Sequence, residues 1–306
     1  MARRLRFIQE GGALVEVTSR TLHGRLLLRP SRELNDLIGG ILGRAQRRYG
    51  VAIVAYAFQS NHYHLLVCER DARQLSGFMG YLNGNLAREI SRLTGWSGKI
   101  WERRYQAIVV SEEDLAQIQR FRYVLSHGCK ENLVARLREW PGVQCVHALL
   151  DGEPLTGHWF DRTREHAARQ RGEDFEHHRY ATAETVTLSP LPCWEGLAPE
   201  RYRQRIAEVV EMIEADAAAE AQRTKMRPLG VTTIRSQDPY SHPQRLKRSA
   251  IPLLHAASRE VRRRFRDAYA AFVAAYRSAA ERLRAGDAAP PFPIGCFPPA
   301  LPFVAR

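Results

Sequence analysis

No apolar stretch long enough to span a bilayer occurs in this chain of 306 residues. Its basic opening, Met-Ala-Arg-Arg-Leu-Arg-Phe, runs into Gln9-Glu10-Gly11-Gly12, where an export signal needs an apolar segment. These absences argue against a membrane protein and against export, and a cytoplasmic location is expected. Cysteine is scarce: Cys68, Cys129, Cys145, Cys193 and Cys296 are odd in number, widely scattered and without any C-x-x-C pair. Neither a disulfide framework nor a zinc ribbon fits that pattern, whereas a reducing compartment does. No internal repeat is evident. Acidic residues are also short in supply, 33 Asp plus Glu against 46 Lys plus Arg, which leaves a formal charge of +13. Most of the cations are Arg, whose planar guanidinium suits phosphate, so a polyanionic partner is plausible. Charge alone equally describes an ordinary basic protein.

What is present is the balance of a globular chain, 44% apolar and 26% charged. The length suggests two domains, and the pattern changes near residue 150. Before that point strand-like and helix-like segments alternate. An apolar run at 13 to 17 precedes an amphipathic stretch at 32 to 48 and the strand-like V-A-I-V-A-Y-A-F at 51 to 58. H-L-L-V-C resumes at 64 after a polar break at Gln59 to Asn61, which reads as a hairpin. A helix at about 72 to 93 ends near Thr94-Gly95, and Q-A-I-V-V at 106 to 110 is a fourth strand. Ser111 then reads as an N-cap, with Glu112, Glu113 and Asp114 in the first turn of a helix that stops at Gly128. The order β-α-β-β-α-β-α predicts a ferredoxin-like α+β domain over 1 to 150, with helices on one face of an antiparallel sheet.

Residues 151 to 306 read as a basic, mainly helical C-terminal extension. Its helices fall at about 199 to 225 and 256 to 285, around a basic Pro-containing stretch at 227 to 249, and a Pro- and Phe-rich tail starts at Pro290. In the last helix Val261, Phe265, Tyr269, Phe272 and Tyr276 recur at helical spacing, which predicts a packed stripe beside a solvated face carrying Arg262, Arg263 and Arg266.

The candidate chemistry lies in the first half. His62 and His64, one residue apart on a strand, point to one face while Tyr63, Leu65 and Val67 point to the other, so two imidazoles can meet one metal ion. Such a pair also occurs on strands that bind nothing. In the helix after Ser111, Leu115, Ile118, Phe121, the stem of Arg122 and Leu125 form the expected apolar stripe. Tyr123 and His127 then share the opposite face, four residues apart and therefore neighbours. They read either as a surface pair or as a nucleophile beside a metal ligand. A phenol is a weak nucleophile at neutral pH, and a divalent cation that polarises a phosphodiester makes such chemistry feasible. Trp101, Arg103, Arg104 and Tyr105 form a cluster of cations and aromatics suited to backbone phosphates and unstacked bases, with Tyr105 serving packing or stacking. His177 and His178, beside Glu173, Asp174 and Glu176, read as a solvated charge run rather than a second metal site, and Cys68 as a small buried hydrophobe.

Three separated segments, S-N-H-Y-H-L-L-V at 60 to 67, W-E-R-R-Y-Q at 101 to 106 and R-Y-V-L-S-H-G at 122 to 128, resemble the REP-associated tyrosine transposases. These are single-tyrosine transposases of the HUH (His-hydrophobic-His) class, and the likeness covers about residues 1 to 150. It implies an HUH catalytic domain acting on hairpin-forming single-stranded DNA, with His62 and His64 as metal ligands and Tyr123 as nucleophile. It further implies a divalent cofactor, Mg²⁺ or Mn²⁺, a 5′-phosphotyrosine intermediate whose bond energy permits rejoining without ATP, and a monomer or homodimer. His127 stands where the family usually has Asn or Gln as a third ligand. A regulator that kept the fold but lost catalysis, and a relaxase or replication nickase, are the alternative readings.

Overall fold

Alternating apolar residues in Ala13–Arg20 make strand β1, and Ser31 caps helix α1, Arg32–Tyr49, by accepting a hydrogen bond from the Leu34 N–H at 3.1 Å. The hairpin predicted around Gln59 to Asn61 is present as β2, Ala52–Phe58, and β3, His62–Glu69. Asp71 caps α2, Ala72–Thr94, which ends on Gly95 in the left-handed region at φ 69°. Then follow β4, Gln106–Val110; α3, Asp114–Leu125; α4, His127–Lys130; and α5, Val146–Asp151. The second half supplies β5, Leu155–Phe160; α6, Arg162–Gln170; β6, Ala181–Val186; and α7, Pro199–Thr224. It closes with α8, Val231–Ser236; β7, Leu254–His255; and α9, Arg259–Arg284. This computed structural model describes residues 5–8, 11–172, 176–244 and 252–299. Glu173, Asp174 and parts of the basic stretch and of the Pro-rich tail lie outside them.

The main sheet has the order β2-β3-β1-β4-β7, in which the first four strands are antiparallel and carry the ferredoxin-like arrangement. β7 pairs parallel with β4, so the sheet is mixed rather than wholly antiparallel. α1 and α2 pack on one another, and α2 lies over the Tyr63 face of the sheet, where Tyr63 Oη donates to Asn83 Oδ1 at 2.6 Å. α3 packs on the opposite face, the one that carries His62 and His64. Helices therefore cover both faces of the sheet. The buried core runs from Leu14 in β1 to Ile234 in α8, so the chain on both sides of residue 150 contributes to it. No helix among the described residues is long and apolar enough to cross a membrane.

Two local expectations change. The cap of α3 is Glu113 rather than Ser111: Ser111 Oγ donates to Glu113 Oε2 at 2.8 Å, and the same carboxylate accepts the backbone N–H groups of Ala257 and Ser258. A side chain expected to favour the α3 dipole instead ties the entry of α3 to the entry of α9. The buried stripe of α3 is also rotated. Leu115 is 57% exposed, while Ala116, Gln117, Phe121, Val124 and Leu125 are buried, because α3 is held between the sheet and the C-terminal half, with Phe121 edge-on to Trp194 at 5.8 Å. In α9 the expected stripe packs through Phe265, Tyr269 and Phe272 around Phe7.

The antiparallel pair β5 and β6 lies across α1 at very close range. A Cβ on Gly40 would stand 2.1 Å from the carbonyl carbon of His158, and one on Gly157 would stand 2.0 Å from the Asp36 carbonyl oxygen. Only glycine lets these backbones approach so closely. Gly40→Ala is therefore expected to destabilise the protein by about 1 to 3 kcal/mol or more, as an overpacked contact that cannot be relieved by a rotamer change. A thermal melt matching that of wild type would refute this close-packing account.

A candidate metal and tyrosine centre

β3 presents His62 and His64 to the face under α3, and His127 begins α4 just past the end of that helix. The three ligand atoms lie within 4.8 Å of one another, and this is the one cluster among the described residues able to hold a metal ion. Ring centroids of His64 and His127 are 4.0 Å apart, and those of His62 and His127 are 5.5 Å apart. The convergence joins His64 to a residue 63 positions further along the chain.

Each imidazole has its Nδ1 occupied by a neighbour. His62 Nδ1 donates to Asn61 Oδ1 at 2.7 Å, and Asn61 is itself oriented because its Nδ2 donates to the Gly24 carbonyl at 3.1 Å. His64 Nδ1 donates to Glu16 Oε1 at 2.6 Å, and His127 Nδ1 donates to the Val124 carbonyl at 3.3 Å. Partners of this kind fix the Nδ1–H tautomer and leave each Nε2 with a free lone pair, the state a metal requires. Burial, followed by the charge of His64, holds both His62 and His127 well below the ordinary histidine value of 6.5. The donor set thus fits a divalent cation: three nitrogen ligands, at least two of them neutral at physiological pH, with positions left for oxygen ligands from a substrate.

The depressed imidazoles also carry a linkage consequence. Below 6.5 the unfolded chain binds protons that the folded His62 and His127 do not, so their contribution is nil well above 6.5 and works against the fold as pH falls below that value. The melting temperature of metal-free protein is expected to drop between about pH 7.5 and 5.5, and to drop less in His127→Gln. Equal slopes for the two proteins would contradict the assignment.

Tyr123 borders this cluster, its ring centroid 4.7 Å from that of His127 and 5.6 Å from that of His64. Lys130 Nζ stands 4.5 Å from the ring centroid and the Arg120 guanidinium carbon 4.9 Å from it. Burial, and then the negative charge of Glu16, push the phenol above its usual value, so it is protonated at rest. On its outer side Tyr123 lines a cleft of about 690 Å³ between α3, α4 and α7, with Arg122, Lys130, Ile213 and Met226 in its walls.

The remaining motif residues lie elsewhere. Trp101 packs edge-on to Tyr63 at 5.6 Å and donates its Nε1–H to the Asn83 carbonyl at 2.9 Å. Tyr105 is 8% exposed, bonded through its hydroxyl to Arg6 and covered by that guanidinium at 3.6 Å from the ring centroid. Packing is the role these surroundings provide for Tyr105 in the absence of DNA. Arg103 and Arg104 are exposed and, with Arg6 and Lys99, line a basic cleft of about 550 Å³. His178 is exposed and pairs with Glu176 at 3.2 Å, a surface contact. Cys68, expected to be buried, is partly exposed.

Two residues outside the three motif segments also belong to the centre, Glu16 and Arg120. Glu16 has a visible signal, a lone carboxylate between Val15 and Val17 in an apolar strand. Its pairing with Leu66 puts it on the His64 face.

The fold and this centre define a ferredoxin-like α+β domain with a three-histidine cluster facing a tyrosine helix. Residues 30–126 match the family model described as "Transposase IS200 like". That segment contains His62, His64 and Tyr123 and ends one residue before His127. Among solved structures, a REP-associated tyrosine transposase bound to a REP hairpin is similar at 14% identity and a TM-score of 0.39, over 49% of this chain and 86% of that one. A putative transposase from Deinococcus radiodurans R1 is similar at 23% identity and a TM-score of 0.29, over 40% of this chain and 95% of that one. No curated protein matches the chain.

Proposed function

We propose that the protein is a metal-dependent transposase and endonuclease that cleaves and rejoins hairpin-forming single-stranded DNA, with Tyr123 as nucleophile. The observation that carries this reading is the convergence of three imidazoles beside one tyrosine, in and next to a segment that matches the transposase family model. A divalent cation held by His62, His64 and His127 would polarise the oxygens of a bound phosphodiester. Tyr123 Oη attacks phosphorus, a new P–O bond forms to the phenol, and the P–O3′ bond breaks. The phenol proton is lost and the departing 3′-oxygen gains one, so the exchange balances without ATP. Attack by a 3′-hydroxyl on the phosphotyrosine reverses the step and joins strands. Lys130 and Arg120, over the Tyr123 ring, supply positive charge that favours loss of the phenol proton.

Arg103 and Arg104, exposed at the rim of the basic cleft, are the proposed backbone contacts, with Trp101 and Tyr105 as the packed base that holds them. The third imidazole, in place of an amide, favours later transition metals over Mg²⁺. Cleavage is expected to be faster with Mn²⁺ than with Mg²⁺, and His127→Gln to narrow the difference; equal rates in wild type would count against His127 as a ligand.

The test of this reading is incubation of the protein with labelled single-stranded hairpin DNA and Mn²⁺, followed by denaturing electrophoresis. A covalent adduct that EDTA prevents, and that passes its strand to a second DNA fragment without helper proteins, is the expected result. Tight DNA binding with no adduct from a broad oligonucleotide pool would instead indicate a non-catalytic regulator.

A further inference from the structure

We propose that Glu16 is a positioning residue that ties the metal ligand His64 to the tyrosine helix through Arg120, an inference that rests on the centre being a metal site. Glu16 projects from β1 and is 1% exposed, so its charge is held without water and needs compensation. Its two oxygens go to different parts of the centre. Oε1 accepts the Nδ1–H of His64 at 2.6 Å, and Oε2 forms an ion pair with Arg120 Nη1 at 2.8 Å. Arg120 lies three residues before Tyr123 on α3, on the same side of the helix, and its guanidinium sits against the Tyr123 ring. One buried carboxylate therefore connects a ligand on the sheet with the helix that carries the nucleophile.

Each arm has a separate effect. The hydrogen bond to His64 selects the tautomer and fixes the ring plane, as carboxylates behind metal-bound imidazoles do. The ion pair to Arg120 sets where α3 rests on the sheet and thus how far Tyr123 stands from the histidines. A buried pair with only a structural role would alter stability and leave metal affinity and turnover alone once the protein is folded. Here the two arms should fail in different measurements.

The test is calorimetric titration of the full chain with Mn²⁺, using wild type, Glu16→Gln and Arg120→Gln, with folding followed by circular dichroism and cleavage measured at saturating Mn²⁺. Glu16→Gln keeps the side-chain shape and loses the charge; it is expected to bind Mn²⁺ about 10- to 100-fold more weakly while remaining folded. Arg120→Gln leaves the His64 hydrogen bond in place; it is expected to retain Mn²⁺ affinity but to cleave on the order of tenfold more slowly or worse at saturating metal. A folded Glu16→Gln variant that binds Mn²⁺ as wild type does overturns the proposal. Should Glu16→Gln fail to fold, wild-type cleavage by Arg120→Gln overturns it. Wild type that takes up no Mn²⁺ removes the metal-centre reading itself, an outcome distinct from the other two.

Discussion

Tyr123→Phe is expected to lose strand cleavage by on the order of a thousandfold or more and to form no covalent adduct, while folding and DNA binding persist. The ring remains, so its edge contacts with His64 and His127 and the cations over its face are kept. Only the oxygen proposed to form the bond to phosphorus is removed. The two other tyrosines of the motif segments are not placed to replace it: Tyr63 is fully buried on the other face of β3, and Tyr105 is buried with its hydroxyl bonded to Arg6. Residual cleavage within tenfold of wild type would mean that water or another side chain attacks, and would remove the phosphotyrosine from the mechanism.

His64→Ala is the second large effect. His64 occupies the middle of the cluster, nearest in ring distance to His127 and in contact with Glu16. Its removal deletes one of the three proposed ligands and leaves the buried Glu16 carboxylate with Arg120 as its remaining partner. Metal binding is expected to fall below detection in a titration that resolves wild type, and metal-supported cleavage to fall with it. Stability should fall as well, because a buried acceptor loses its donor, by about 1 to 3 kcal/mol. Cleavage by His64→Ala at the wild-type rate in Mn²⁺ would show that the histidines do not hold the catalytic cation.

Much of this centre is legible in the amino-acid sequence. The strand alternation of His62 and His64, the hairpin that precedes them and the helical spacing of Tyr123 and His127 are all short-range patterns, and short-range patterns survive folding. The α3 register is not legible, since its apolar residues suggest that Leu115 faces inward and the tyrosine outward. Leu115 is instead exposed and Tyr123 half-buried, because Arg120 pairs with Glu16 and Tyr123 meets the histidines on the sheet, while Phe121, Val124 and Leu125 stay buried. Nor can β5, β6 and β7 be read. β5 and β6 owe their position to glycine contacts with α1 across more than a hundred residues, and β7 is two residues long. The roles of Glu16 and Arg120 depend on strand order and on the seating of α3, which no local pattern encodes. The composition changes near residue 150, while the core continues through it.

The central claim is a bond between Tyr123 and a 5′-phosphate. It is tested most directly by reacting the protein with hairpin DNA labelled at one end or the other, digesting the adduct and mapping the modified peptide by mass spectrometry. Only 3′-labelled DNA is expected to stay on the protein, with the 5′-labelled fragment released bearing a 3′-hydroxyl and the modification mapping to Tyr123. Retention of the 5′ label, or an adduct on any other residue, would contradict it.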